Sequence, residues 1–333
     1  VNPYVDANPY TYAPVYQYPA GTILWHLPFV ALVPDSVVLG ESFMAARVAA
    51  WAMDALAVGL LCLAGWAASG RNRTVPVLSL LPPAVYGLNA TLVREVGLTG
   101  ANDVLMAVLV ATSVWLLADG HRPSMAALLW GLAVAVKLPA LVLAPLFLGR
   151  ARWRPVVLAG GVALALQVPF FVFPHLGLHG LAALAEPAAR PDPYVVMQNS
   201  VWWPVYAVRG VEPWLVSTLG RGVVLVGLAI TAWGAWSVRR LRPGPALRER
   251  LLAVAGVSLV AMFLLAPQWR VNFQSWGVPA AIVVTIGGIH RDGNVQPSSG
   301  GGLVAGQVPP PPPQRPVATR SDGMPTEQMQ RTR

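Results

Sequence analysis

Charge is what this chain has least of. Only 11% of its 333 residues are Asp, Glu, Lys or Arg, while 55% are hydrophobic; a water-facing domain is typically about 25% charged. A soluble surface is therefore excluded for most of the length. Cysteine is nearly absent too: Cys62 stands alone, which rules out an intrachain disulfide and a thiol–metal cluster. The sequence has no Gly-rich phosphate loop, no His-rich metal motif and no nucleophile elbow, so any catalysis must rest on isolated carboxylates and cations, and no cofactor is expected. The chain opens on a polar, aromatic stretch, Val1–Tyr18, that holds neither Lys nor Arg and reads as an extracytoplasmic loop whose preceding helix is missing.

What is present is apolar sequence in long runs. Val48–Ala68, Val104–Ala118, Val156–Phe173 and Val223–Val238 are each close to the roughly 20 residues that span hydrocarbon. They are apolar all round, where a soluble helix would show one polar face. The net charge of +9 is placed at the ends of such runs, at Arg71 and Arg73, at Arg150, Arg152 and Arg154, and at Arg239, Arg240, Arg242, Arg248 and Arg250. That distribution holds loops in the cytoplasm. No basic face or aromatic stacking platform accompanies it, so the positive charge is a topology signal and nucleic acid is not an expected partner.

The fold expected is all-α, a polytopic transmembrane helix bundle of about 7–9 membrane segments, some broken or re-entrant. Thr22–Val33 reads as an interfacial or re-entrant helix interrupted at Pro28, and Val75–Val93 as a span broken at Pro82 and Pro83. Ser124–Gly149 cannot cross once without placing Arg150 outside. A helix broken near Lys137 and Pro139 that dips in and returns resolves the conflict. The expected domains are a membrane-embedded unit, residues 1–290, and a Gly-, Ser- and Pro-rich cytoplasmic tail, residues 291–333, disordered by composition. The location is the plasma membrane, multi-pass, with the C-terminus cytoplasmic. Polar and aromatic residues then gather on the extracytoplasmic side, in Val1–Tyr18, Arg94–Asp103, Pro174–Pro213 and Pro267–Ser275.

Candidate functional residues follow from that gathering. Lys137 is the only lysine and sits in apolar sequence, where an ionisable group costs about 2.5–3.5 kcal/mol on insertion scales. It either neutralises an anionic phosphate or snorkels to the interface. Asn102 and Asp103 open an inward-going helix, as ligands or as caps. Arg270 is the one charge in the turn around Pro267–Trp276. Its fork suits phosphate oxygens, with Gln268, Asn272 and Gln274 beside it for sugar hydroxyls or, alternatively, as part of an aromatic-flanked anchor. Gln198, Asn199, Trp202 and Trp203 are suited to stacking on and hydrogen-bonding a sugar, or to a membrane-interface belt. Asp54 is read as a packing residue without a role.

The order of these motifs resembles a known family. Asn2–Tyr4 (N-P-Y), Tyr16–Pro19 (Y-Q-Y-P), Gly40–Arg47 (G-E-S-F-M-A-A-R), Thr99–Asp103 (T-G-A-N-D), Gly131–Pro139 (G-L-A-V-A-V-K-L-P) and Ala266–Pro279 (A-P-Q-W-R-V-N-F-Q-S-W-G-V-P) are together similar to the GT-C superfamily, in its actinobacterial mannosyltransferase-like branch. The resemblance runs over roughly Val1–Ile289. It implies a membrane hexosyltransferase that moves a sugar, most often mannose, from a polyprenyl-phosphate donor to a cell-envelope glycolipid or glycan at the extracytoplasmic face. It adds Tyr18 to the substrate-binding set of Arg270, Lys137, Asp103, Asn102, Gln268, Asn272 and Asn199. In that family the essential Asp lies ahead of the N-P-Y-like element, at which this chain begins. Asp6 lies after it and does not match, so no catalytic residue is assigned; either the base is expected upstream or the chain lacks its own. Two other classes compete: a transporter or lipid-linked flippase, which predicts two related halves with midplane polar residues, and a non-catalytic membrane scaffold of the same fold.

Overall fold

A computed structural model of the chain describes residues 20–32, 44–69, 83, 84, 86, 103–151, 153–172, 201–209, 212–266 and 276–284, all within the unit Val1–Asn294. Among the described residues every regular element is a helix: α1 (Ala20–Leu32), α2 (Met44–Ser69), α3 (Asp103–Asp119), α4 (Pro123–Val136), a 3-10 turn (Leu138–Leu143), α5 (Ala144–Ala151), α6 (Trp153–Val172), α7 (Trp203–Arg209), α8 (Pro213–Val238) and α9 (Pro245–Leu265). A last helical stretch covers 276–284. Proline opens α4, α8 and α9 in the first turn, where its missing N–H has no carbonyl to serve. Pro28 behaves differently from expectation, because α1 runs through it without interruption.

α3 forms the centre. It packs against α2, α4 and α9, and its buried residues, from Asp103 to Ala118, cover most of its circumference, leaving a half-buried stripe at Val108, Leu109, Thr112, Trp115 and Leu116. Outside it, α4 packs on α6, and α8 on α9. Close approach depends on small residues at the crossings. At Gly131 of α4, a Cβ would stand 2.6 Å from the Ala159 carbonyl oxygen of α6.

The outer surface is apolar. Leu225 is 65% exposed, Trp233 67% and Trp236 60%. Only 22% of the apolar window of α8 is buried. A helix that is hydrophobic and yet faces outward is at home in lipid, not in water. Arg47–Trp66 and Trp214–Val238 are long and apolar enough to cross a membrane, and Gly21–Leu32, Pro123–Val136, Leu138–Arg150 and Trp153–Val168 are shorter apolar helices. The described residues thus supply two full-length spans, where about 7–9 segments were expected. Val75–Val93 lies outside the described residues except at 83, 84 and 86; among the described ones, one run is divided at Lys137, and the first turns of α9 carry Arg248, Glu249 and Arg250.

The break expected near Lys137 and Pro139 is present. α4 ends at Val136, Lys137 is extended at φ −156° and ψ 126°, and a 3-10 turn leads into α5. The chain then folds back. Trp130 of α4 stacks on Phe147 of α5 with ring centroids 4.3 Å apart, a contact that two halves of one straight helix could not make. Gly149 lies against Ala235, near the Arg239 end of α8. α6 starts from that same end, two residues after α5.

Breaking a helix in an apolar medium leaves carbonyls that need donors. Three side chains from three helices supply them. The Thr22 hydroxyl of α1 donates to the Val136 carbonyl at 3.0 Å, the Trp130 indole N–H to Ala140 at 2.8 Å, and the Thr231 hydroxyl of α8 to Val142 at 2.6 Å.

Candidate functional site

The break places Lys137 beside the first turn of α3, because the short 120–122 link makes α3 and α4 an antiparallel pair. The Lys137 ammonium there forms an ion pair with Asp103 Oδ1. The same oxygen accepts the indole N–H of Trp276 at 2.7 Å. The Lys137 Nζ also lies over the Trp276 ring, 5.8 Å from its centroid. Asp103 is 0% exposed and Lys137 9%, so the charges neutralise one another away from solvent. Snorkelling is thereby set aside for Lys137: its ammonium turns inward to a carboxylate.

A second polar pair stands close by. The Tyr86 hydroxyl donates to Asp54 Oδ1 at 3.0 Å, and Tyr86 also lies within electrostatic range of Asp103. Asp54 is 8% exposed, and its other oxygen, Oδ2, is buried without a hydrogen-bond partner among the described residues. At the same end of the bundle the Trp202 indole N–H donates to the Leu265 carbonyl at 2.8 Å, tying the segment ahead of α7 to the close of α9.

Of the residues singled out in the sequence, the structure brings Asp103 and Lys137 together. Tyr18, Asn102, Asn199, Gln268, Arg270 and Asn272 lie outside the described residues. Three of these, Gln268, Arg270 and Asn272, belong to the link between Ala266 and Trp276, and Asn102 immediately precedes Asp103. Sequence reasoning missed Trp276 as a partner of Asp103, although it closes the P-Q-W-R-V-N-F-Q-S-W segment. It also missed the Tyr86–Asp54 bond, for which no spacing rule gives a signal.

Chemically, this arrangement holds rather than reacts. Asp103 is buried and committed to an ammonium and an indole, so it is not poised to take a proton from an incoming hydroxyl. Lys137 is already neutralised, so it contributes orientation more than free positive charge. Among the described residues no group of three His, Cys, Asp or Glu is placed to hold a metal ion.

No curated protein and no solved structure matches the chain. The model of glycosyltransferase family 87 matches residues 16–267. That stretch runs from the Tyr16–Pro19 element to the close of α9 and contains Asp54, Tyr86, Asp103 and Lys137. Apolar, outward-facing helices agree with a membrane enzyme of this type, and the chain belongs to glycosyltransferase family 87.

Proposed function

We propose that this membrane glycosyltransferase transfers a hexose, mannose before others, from a polyprenyl-phosphate donor to an envelope glycolipid or glycan. The reaction is placed at the Asp103–Lys137 end, on the extracytoplasmic side of the plasma membrane. In this reading residues 1–290 are embedded as a multi-pass unit and residues 291–333 stay cytoplasmic. One observation supports it above the rest. Three motifs far apart in sequence, T-G-A-N-D, G-L-A-V-A-V-K-L-P and A-P-Q-W-R-V-N-F-Q-S-W, meet through Asp103, Lys137 and Trp276. Such a cluster can seat the flanking polar residues, Asn102 on one side and Gln268, Arg270 and Asn272 on the other, around a phosphate-linked sugar. Arginine suits the phosphate oxygens, and the amides suit sugar hydroxyls. Charge neutralisation on the donor phosphate is one of the two tasks of such a transfer; deprotonating the acceptor is the other.

The test measures both donor binding and transfer. Purified protein in lipid is given radiolabelled polyprenyl-phosphate mannose and extracted envelope lipids, with Arg270→Ala and Trp276→Phe alongside. Label should bind and move to lipid with the native chain, and binding should fall with Arg270→Ala. Failure of mannose, glucose and arabinose donors to bind at all would overturn the reading. Passage of lipid-linked sugar across vesicles without any new glycosidic bond would replace it with a transporter.

A further inference from the structure

The opposite end of the bundle carries its own constellation. α3 runs about 24 Å from Asp103 to Asp119, close to the thickness of a hydrocarbon core. There two turns interlock, 119–122 after α3 and 239–244 between α8 and α9. Gly120 has φ +72° and faces Pro243, whose Cγ would be 3.3 Å from an added Cβ. Gly244, at φ +148°, swings the chain into α9. Across the junction Arg248 pairs with Asp119 at 2.5 Å and lies over the Trp115 ring at 4.3 Å. Between the turns opens a cleft of about 340 Å³ lined by Asp119, His121, Pro243, Gly244 and Arg248.

Positive charge predominates around this cleft. Arg122, Arg239, Arg240 and Arg242 are exposed on the two turns, and Asp119, already matched by Arg248, is the carboxylate among the lining residues. Trp236, 60% exposed, stands at the same level beneath Arg239, with the guanidinium 4.9 Å from its ring centroid. Exposed indoles settle at the headgroup level of a bilayer. An arginine laid on an indole keeps its planar N–H fork available for phosphate oxygens.

We propose that this cleft is a binding site for the phosphate headgroup of an anionic phospholipid. Arg248 and His121 meet it from within, and Arg122 and Arg242 from the rim. The inference rests on the reading that the unit is embedded in a bilayer, and it is independent of the sugar chemistry at the other end. Asp119 has a defined part in it: its carboxylate competes with the phosphate for Arg248 and sets the affinity.

Native mass spectrometry of the full chain, released from nanodiscs of equal phosphatidylglycerol and phosphatidylcholine, tests the site. The native protein should retain phosphatidylglycerol in preference. Arg122→Gln with Arg242→Gln, both at exposed positions, should lower that preference by about fivefold per charge removed, and raised salt should lower it as well. Asp119→Asn should increase it, an effect that partial unfolding cannot imitate. Equal retention of the two lipids by the native protein, or no gain with Asp119→Asn, would overturn the site while leaving membrane embedding intact. Retention of neither lipid would count against embedding itself. A final arm adds inorganic phosphate to protein in detergent. Stabilisation by phosphate that Arg242→Gln abolishes, with no preference for phosphatidylglycerol, would identify a soluble phosphate ligand and reject the lipid.

Discussion

Removing the Lys137 ammonium while leaving Asp103 in place should be the most damaging single change at the candidate site. Asp103 is 0% exposed, so Lys137→Met strands a carboxylate in a medium that cannot solvate it. Breaking a buried pair from one side costs about 3–5 kcal/mol, because the surviving charge is left uncompensated. In a unit of this size each kcal/mol moves the melting midpoint by about 2–4 °C, which gives a fall on the order of 10 °C. Asp103→Asn should also destabilise, since it keeps an acceptor for the Trp276 N–H but takes away the carboxylate that faces the ammonium. The double variant, Asp103→Asn with Lys137→Met, removes both charges. It should recover much of the loss, as buried pairs replaced by neutral groups often cost little.

The assay is a thermodynamic cycle read by thermal unfolding of the four proteins in one detergent. A coupling of about 2 kcal/mol or more is expected, well above the roughly 1 kcal/mol of an ordinary neutral hydrogen bond. Strict additivity of the two single losses would refute the argument. It would mean that the ammonium and carboxylate do not neutralise one another in the folded protein, and the account of the helix break as a device for joining them would fall with it.

Three further outcomes check the packing and the buried polar bonds. Gly131→Ala forces a Cβ to within 2.6 Å of the Ala159 backbone and should cost about 1–3 kcal/mol by thermal unfolding. Its control, Gly160→Ala, meets nothing within 4 Å and should be neutral or stabilising by about 0.5–1 kcal/mol through helix propensity. Thr231→Val removes the donor to the Val142 carbonyl and should lose about 1–3 kcal/mol, with faster limited proteolysis around the 3-10 turn. Tyr86→Phe takes the hydroxyl from Asp54 and should destabilise by about 1–3 kcal/mol, with the loss reduced when Asp54→Leu removes the carboxylate as well.

Much of this architecture is readable in the sequence because the medium is harsh. Long apolar runs with few charges leave little alternative to helix, and α2 and α8 fall where the runs lie. The break at Lys137 was legible from the conflict between Arg150 and a single crossing. The pairing of Lys137 with Asp103 was within reach as well. Each sits at the far end of a helix counted from the same short link, 16 residues before Asp119 and 14 after Pro123. Each is also too costly to leave alone in an apolar setting. Other features carried no local signal. Trp276 reaches Asp103 across a sequence separation of 173 and Arg248 reaches Asp119 across 129, distances over which only the packed bundle decides who meets whom. Pro28 misled for a different reason: in α1 a proline sits inside an otherwise continuous helix.

The break and the ion pair explain each other. In an unbroken helix Lys137 would lean back along α4 toward Pro123, since helical side chains point to the N-terminal side of their own Cα. That direction leads away from Asp103. Taking the residue out of helical backbone, at φ −156° and ψ 126°, releases it from that constraint and lets it reach the first turn of α3. The cost is a row of carbonyls without intrahelical partners, met by Thr22, Trp130 and Thr231. The donors come from α1, α4 and α8, so the position of Lys137 is tied to three helices, and through Asp103 and Trp276 to α3 and the stretch after α9. A chain that needed only to cross a bilayer would gain nothing from this, because an uninterrupted apolar helix satisfies its own backbone. The sequence instead places its sole lysine at the break, where donors from three helices hold the surrounding backbone and Asp103 takes up the charge.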